Sequence, residues 1–338
     1  MTKMNSQRID QAWPSDELEN VDACPYCAAT DRTLAYKDVQ DWSFYGAAGK
    51  WSYWNCSACE ALYLNPRPTE ASIGKAYTTY YTHSAGGESL FQRLKLRLKN
   101  ECLFHWVGAD VSPRLRLPAI FAFFSLPLKK YMYIPFDLAC LVKLAKGKLL
   151  DVGCGSGGKL LQAKQLGWDT TGLEIDPNAV KVAKEAGLNV IQGDFHQLER
   201  WTNEFDCIVC SHVLEHVHKP VELLMMISNA LKPKGILILS LPNAKSHVRD
   251  TFGDSWRGLE APRHLGIPSL EKMLELLKNL NYTEIKQFDI YNSTISESIR
   301  IMNNRSINYS SIVDIKHIAA KNSPNKKSDF IQIIAKKA

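Results

Sequence analysis

The chain has 338 residues, 45 % of them hydrophobic and 22 % charged, with 41 Lys+Arg against 35 Asp+Glu and a formal net charge of +6. That apolar content suffices for a large buried core and excludes disorder, collagen and coiled coil as the main state. The length suggests about two domains.

Residues 1–20 read as a loose polar arm without the apolar stretch of a secretory signal, so the chain is expected in the cytoplasm. Nine cysteines follow, and four of them form two Cys-x-x-Cys pairs, Cys24 with Cys27 and Cys56 with Cys59. In a reducing compartment such pairs point to metal before disulfides. The 28 residues between the pairs hold strand-forming runs (TLAYKDV, KWSYWNC), enough to fold two knuckles around one ion. Four thiolates suit tetrahedral Zn2+, and a closed site of this kind is structural. Residues 21–66 are therefore expected to form a zinc ribbon.

Residues 67–147 read as a hinge, with Thr69 as an N-cap, leading into a helical insert. Between 91 and 148 the chain carries eleven Lys/Arg against Glu101, Asp110 and Asp137. Inside it Leu117 to Leu128, LPAIFAFFSLPL, is too short to span a bilayer, which takes about 18 apolar residues or more. Basic residues around a short aromatic segment fit a lid that docks on anionic lipid. They also fit a cap whose apolar face packs on the sheet.

From Lys148 the pattern becomes strand, tight turn, helix, repeated: KLLDVGCG, DTTGLEI, LNVIQG, FDCIVC and ILILSL alternate with amphipathic helices, and TEIKQF and FIQIIA follow. This predicts an α/β fold with a Rossmann-like seven-stranded sheet and helices on both faces over 148–338. Cys207 and Cys210 fall inside a strand, where residues three apart face opposite ways, so core packing is expected of them. Residues 292–327 read as a loop-rich insertion.

LLDVGCGSGG places Asp151 before Gly153, Gly155, Gly157 and Gly158 at a strand-to-helix turn. Glycines there let a ligand approach backbone. Gly153, Gly155 and Gly158 also satisfy the G-x-G-x-x-G of nicotinamide-binding domains, but Asp151 would repel a pyrophosphate and instead suits a cationic amino-acid ligand. Glu174 at the end of the second strand can take ribose hydroxyls, and Asp194 after the third can accept from an adenine amine. The series fits a nucleoside with a methionine tail.

LLDVGCGSG, GLEIDP, QGDF, FDCIVCSHVLEHV and NALKPKGILILSLPN resemble, in order, the motifs of the class I S-adenosylmethionine-dependent methyltransferases. Lys234 departs from that pattern, standing where the family usually has glycine. The resemblance implies that Asp151, Gly153, Cys154, Gly155 and Gly157 contact the methionine part, Glu174 the ribose, and Asp194 the adenine amine. Ile175 and Phe195 would flank the adenine, with Ser211 completing the set. CPYC, CSAC and the segment after them resemble zinc-ribbon methyltransferases of sugars and cell-surface glycans. The long extra C-terminal domain of the deoxysugar enzymes among them is not expected here.

By motif, the histidines of those sugar enzymes map onto His216 in SHVLEHV and His264 in APRHLG, the candidate bases. Arg263 stands where they carry glutamate, so a relay through that acid is not implied. Arg263 or Arg257 could hold an acceptor anion, with Trp256 and Tyr81 beside it. Capping, loop closure and aromatic packing are the alternative roles of His216, His264 and Tyr81. The leading expectation is methyl transfer to a small-molecule, sugar or lipid-linked glycan acceptor. An RNA methyltransferase and a binding protein with a degenerate catalytic domain are the alternatives. SHVLEH stands where amine-directed nucleic-acid enzymes carry Asn/Asp-Pro-Pro-aromatic, so nucleic acid is not expected as the partner.

Overall fold

The computed structural model describes residues 9–78, 90–126, 136–290, 294–305 and 327–338. Its residues fall into two compact units, 1–80 with 211–225 and 239–335, and 81–210 with 226–238 and 336–338. Tyr81 lies outside the described residues.

In the first unit the chain opens differently from a loose arm. Ile9 and Trp13 are buried, and strand β1 (Leu18–Glu19) pairs with β5 (Arg67–Pro68), so the proline-rich stretch expected as a hinge is held by a strand pair. Strands β2 (Arg32–Val39), β3 (Trp51–Cys56) and β4 (Leu62–Leu64) form the ribbon. In β3 Trp51 and Tyr53 are buried while Ser52 and Trp54 are not, the period of two that one-sided packing demands.

The insert belongs to the second unit. It consists of α1 (Leu90–Val107), α2 (Ile120–Ser125) and α3 (Phe136–Lys143). The C-terminal part of α1 is anchored, because Leu103 packs with Ala109, Val111 and Leu138. Buried Glu101 accepts from the backbone of Arg116 and Leu117 at 2.6 and 3.1 Å and pairs with Arg114 at 3.3 Å. The apolar side chains of α2 are not packed away: Ile120, Phe123 and Phe124 are 66, 71 and 68 % exposed.

Strands β6 (Lys148–Val152), β7 (Asp169–Glu174), β8 (Val190–Gln192) and β9 (Phe205–Ser211) follow, alternating with α4 (Gly158–Gln165) and α5 (Pro177–Glu185). Asp176 caps α5 by accepting from the Asn178 amide at 2.9 Å, and Pro177 supplies the first turn. After α6 (Pro220–Ala230) comes β10 (Leu231–Pro242), where Lys234 has φ at +63°, the left-handed backbone that glycine adopts most readily. The turn thus survives the substitution. Cys207 and Cys210 are fully buried in β9.

The chain then adds α7 (His247–Phe252), β11 (Gly266–Ile267), α8 (Leu270–Asn279), β12 (Tyr282–Phe288), α9 (Ile295–Asn304) and β13 (Phe330–Lys337). Helix α9 falls where only loop was expected, its Ile295, Ile299 and Met302 packing on the ribbon core. Seven strands form a mixed sheet in the order β12-β13-β10-β9-β6-β7-β8, as the sequence implies. A second sheet has the order β11-β4-β3-β2. Strand β11 comes from residues far along the chain, so the ribbon is not a module closed within 21–66.

Candidate active site

In the second unit β6, β7 and β8 run parallel, with Asp151 opposite Gly172 and Glu174 opposite Gln192. That register brings Asp151, Glu174 and Asp194 to the carboxyl ends of three adjacent strands, where open α/β sheets hold ligands. Between β6 and α4 the backbone must turn sharply, and Gly155 and Gly157 adopt φ of +55° and +82°. A Cβ on Gly157 would lie 2.3 Å from Leu188 Cδ1, whereas one on Gly155 would enter open space. Gly157 therefore serves packing, and Gly155 borders the volume left for a ligand.

Glu174 organises this cradle. Its carboxylate accepts from the amides of Gly155 at 2.7 Å and of Ile175 and Asp176 at 2.9 Å each. The Gly153 and Cys154 amides are spent on the Leu173 carbonyl at 2.8 and 3.1 Å. Buried Cys154 turns its sulfur to Gly172, where an added Cβ would meet it at 2.6 Å. Of Cys154, only its backbone lines the turn. Asp194 is exposed, capping the short helix Phe195–Arg200 through the His196 amide at 3.0 Å, and Ile175 is 67 % exposed. Ser211, the last residue of β9, is half-buried in the first unit.

Burial raises the Asp151 carboxyl to about 7, with Lys159 opposing and Asp137 and Glu174 adding to the rise. Below that pH Asp151 is protonated and cannot pair with an ammonium group. The sign follows directly: affinity for an ammonium-bearing ligand should fall about tenfold per unit as pH drops below 7, and level off above it. The unliganded fold should show the reverse, losing stability from about pH 4 to 7, because it retains a proton that the unfolded chain releases. Calorimetric titration with S-adenosylmethionine between pH 5.5 and 8.5 measures the first, thermal melts the second. A flat affinity profile would remove Asp151 from ammonium binding.

The first unit holds a second constellation. Cys24 Sγ lies 3.6 Å from Cys59 Sγ and Cys27 Sγ 3.5 Å from Cys56 Sγ, and all four thiols cluster. Bonds of about 2.3 Å to a tetrahedral zinc would set sulfurs about 3.8 Å apart, so the donor set fits that ion. Near it, Tyr77 Oη is 3.0 Å from His216 Nδ1, which is also 3.0 Å from the Arg263 carbonyl. His264 Nδ1 lies 2.7 Å from the Gly258 carbonyl, and the two imidazole rings are 4.6 Å apart, edge to face. Burial lowers His264 to about 4, against the pull of Glu260, so its ring is neutral at pH 7. Glu260 settles at about 2, since His264, Arg257 and Arg263 outweigh its burial.

Two residues expected at the acceptor lie instead in the core. Arg263 is fully buried, its guanidinium held bidentate by Asp41, paired with Glu260 and donating to the Ala76 carbonyl at 2.8 Å. Trp256 is 1 % exposed and packs with Tyr53, Leu64 and Leu259. Buried in this way, neither is open to an acceptor. Arg257 is half-buried and paired with Glu260. The sequence reading missed Asp41, Tyr77, Glu215 and Glu260. Glu260, four residues before His264, carried a helical-spacing signal, whereas Asp41 carried none beyond its turn.

The family model described as "Methyltransferase domain" matches residues 121–287, about half of the chain. It covers every strand that carries the three acids. The chain belongs to the class I methyltransferases. The chain is 36 % identical over 107 residues to "Ubiquinone biosynthesis O-methyltransferase" of Xanthomonas oryzae pv. oryzae, covering 30 % of this chain and 45 % of that protein. The mitochondrial protein of that name from Schizosaccharomyces pombe is 35 % identical over 101 residues, covering 28 % and 37 %. The chain thus spans less than half the length of these relatives. A solved S-adenosylmethionine-dependent methyltransferase from Archaeoglobus fulgidus is similar at 22 % identity and a TM-score of 0.43, covering 64 % of this chain and 93 % of that one.

Proposed function

We propose that the protein transfers a methyl group from S-adenosylmethionine to a small-molecule, sugar or lipid-linked glycan acceptor. The observation that carries this reading is the run of Asp151, the Gly155 turn, Glu174 and Asp194 across three adjacent parallel strand ends. When bound, the cofactor supplies an electrophilic methyl carbon. Asp151 accepts from its ammonium group and Glu174 from a ribose hydroxyl, while Asp194 accepts from the adenine amine between Ile175 and Phe195. Methyl displacement asks the protein chiefly to position the acceptor and remove its proton. The relatives' name, an O-methyltransferase, favours oxygen as the atom methylated. Cys24, Cys27, Cys56 and Cys59 hold a structural zinc.

Incubation with methyl-labelled cofactor and a cell extract split into nucleotide-sugar, lipid, RNA and protein fractions tests the reading. Label is expected in the nucleotide-sugar or lipid fraction. Label confined to RNA would overturn it, and absence of cofactor binding by calorimetry would favour the non-catalytic alternative.

The partner surface we assign to the insert is an anionic lipid face. Among the described residues no helix is long and apolar enough to cross a membrane. Yet Leu90 and Phe91 on α1 are 84 and 75 % exposed, like Phe123 and Phe124 on α2, and Arg93, Lys95 and Arg97 lie exposed along α1. Exposed aromatics beside exposed cations match the acyl boundary and the charge of such a surface. Co-sedimentation with phosphatidylglycerol vesicles is expected, weaker on phosphatidylcholine, and reduced at least about fivefold by Phe123→Ser with Phe124→Ser. Equal recovery of wild type and variant would sink the assignment.

A further inference from the structure

Glu215, His216 and His264 each offer one donor atom, and the three atoms lie within 4.8 Å of one another. The Glu215 carboxylate is fully buried. Its Oε1 is 3.2 Å from His212 Nδ1, and its Oε2 has no hydrogen-bond partner. Among the described residues His212 is its sole ion-pair partner. The nearby guanidiniums are already committed, Arg263 to Asp41 and Glu260, and Arg257 to Glu260. A buried carboxylate oxygen without a countercharge is costly and calls for a cation.

The histidines are oriented to share that cation. A carbonyl oxygen can only accept, so the contacts of His264 Nδ1 with Gly258 O and of His216 Nδ1 with Arg263 O place the ring hydrogen on Nδ1. Each Nε2 then keeps its lone pair, that of His264 lying 3.6 Å from Glu260 Oε2. Histidines that ligate a metal through one nitrogen characteristically donate from the other to a backbone carbonyl in this way. Ligand bonds of about 2.0–2.2 Å set donors roughly 3.0–3.5 Å apart, so small side-chain rotations complete the site.

We propose that Glu215, His216 and His264 bind a divalent transition-metal ion, distinct from the ion of the four cysteines. Two imidazoles and one carboxylate are a donor set for Zn2+, Mn2+ or Fe2+, and three protein ligands leave positions open. The catalytic use of the ion rests on the methyl-transfer reading. A hydroxyl that entered an open position would be acidified by the ion and give its proton to water.

Occupancy is measured without activity. Full-length protein is dialysed against Zn2+, Mn2+ or Fe2+, freed of excess ion and assayed for metal by emission spectrometry. Two ions per chain are expected, and protein carrying a single zinc, on the cysteines, should bind one Mn2+ by electron paramagnetic resonance titration. Glu215→Gln should weaken that Mn2+ binding at least tenfold and leave one zinc on the cysteines. Uptake stopping at one ion per chain with all three metals would overturn the site, as would Mn2+ binding unchanged in Glu215→Gln. Should that variant fail to fold, the wild-type stoichiometry alone decides. S-adenosylmethionine binding, followed by calorimetry on the same samples, reports the cofactor reading separately.

Discussion

Serine in place of Cys24 or Cys59 is expected to abolish methyl transfer, although neither residue belongs to the cofactor cradle. The ribbon is the backing of the His264 loop. The Tyr53 hydroxyl donates to the Leu259 carbonyl at 2.6 Å with the His264 carbonyl 2.9 Å away, and Ser269 donates to the Cys59 carbonyl at 2.8 Å. The Leu64 amide donates to Leu265 at 3.0 Å, and the Leu265 amide to Glu215 at 2.7 Å. Leu62, Leu64, Trp256, Leu259 and Leu265 share one core with Tyr53. Loss of a thiolate releases the ion, and free energy of metal binding in such modules is folding free energy. A loss of about 3 kcal/mol or more is expected for such an unmade site. The checks are zinc content, a lowered melting temperature and at least about a hundredfold drop in turnover, worth roughly 2.7 kcal/mol. Metal-free protein that melts and turns over like wild type would refute the structural role.

Glu174→Ala is the second large effect, expected to weaken S-adenosylmethionine binding at least about a hundredfold, or roughly 2.7 kcal/mol. Its carboxylate ties the amides of Gly155, Ile175 and Asp176 together, so it shapes the turn besides the ribose contact proposed for it. A carboxylate offers about four lone-pair directions, and three backbone donors leave room for one more. Glu174→Gln should retain part of the turn and lose the charge-assisted ribose bond, giving an intermediate affinity. Calorimetric titration of both variants distinguishes the roles. Equal affinities for Ala and Gln would assign the effect to the ribose contact rather than to the turn.

The cofactor cradle was legible because its chemistry is local in sequence. Each acid stands at the end of its own strand, and the parallel register that aligns them follows from the strand–helix repeat. The two Cys-x-x-Cys pairs were legible for the same reason. Histidines 216 and 264 were found by motif, but their surroundings were not. Arg263 reads in sequence as a free cation beside a candidate base, and only its bidentate pairing with Asp41, 222 positions away, shows it to be a buried strut. Trp256 likewise reads as an exposed aromatic until the ribbon strands cover it.

Composition and periodicity determined that this chain builds a parallel-stranded α/β sheet, a thiol cluster and a run of acids suited to a cationic nucleoside, since these depend on residues close in sequence. The tertiary structure alone decided that the ribbon takes a strand from Gly266–Ile267, that Arg263 is spent on Asp41, and that Glu215 is left buried beside two imidazoles. The physical reason is the same in each case. Such pairings join residues separated by many tens of positions, and their energies arise only when folding removes water from both partners at once.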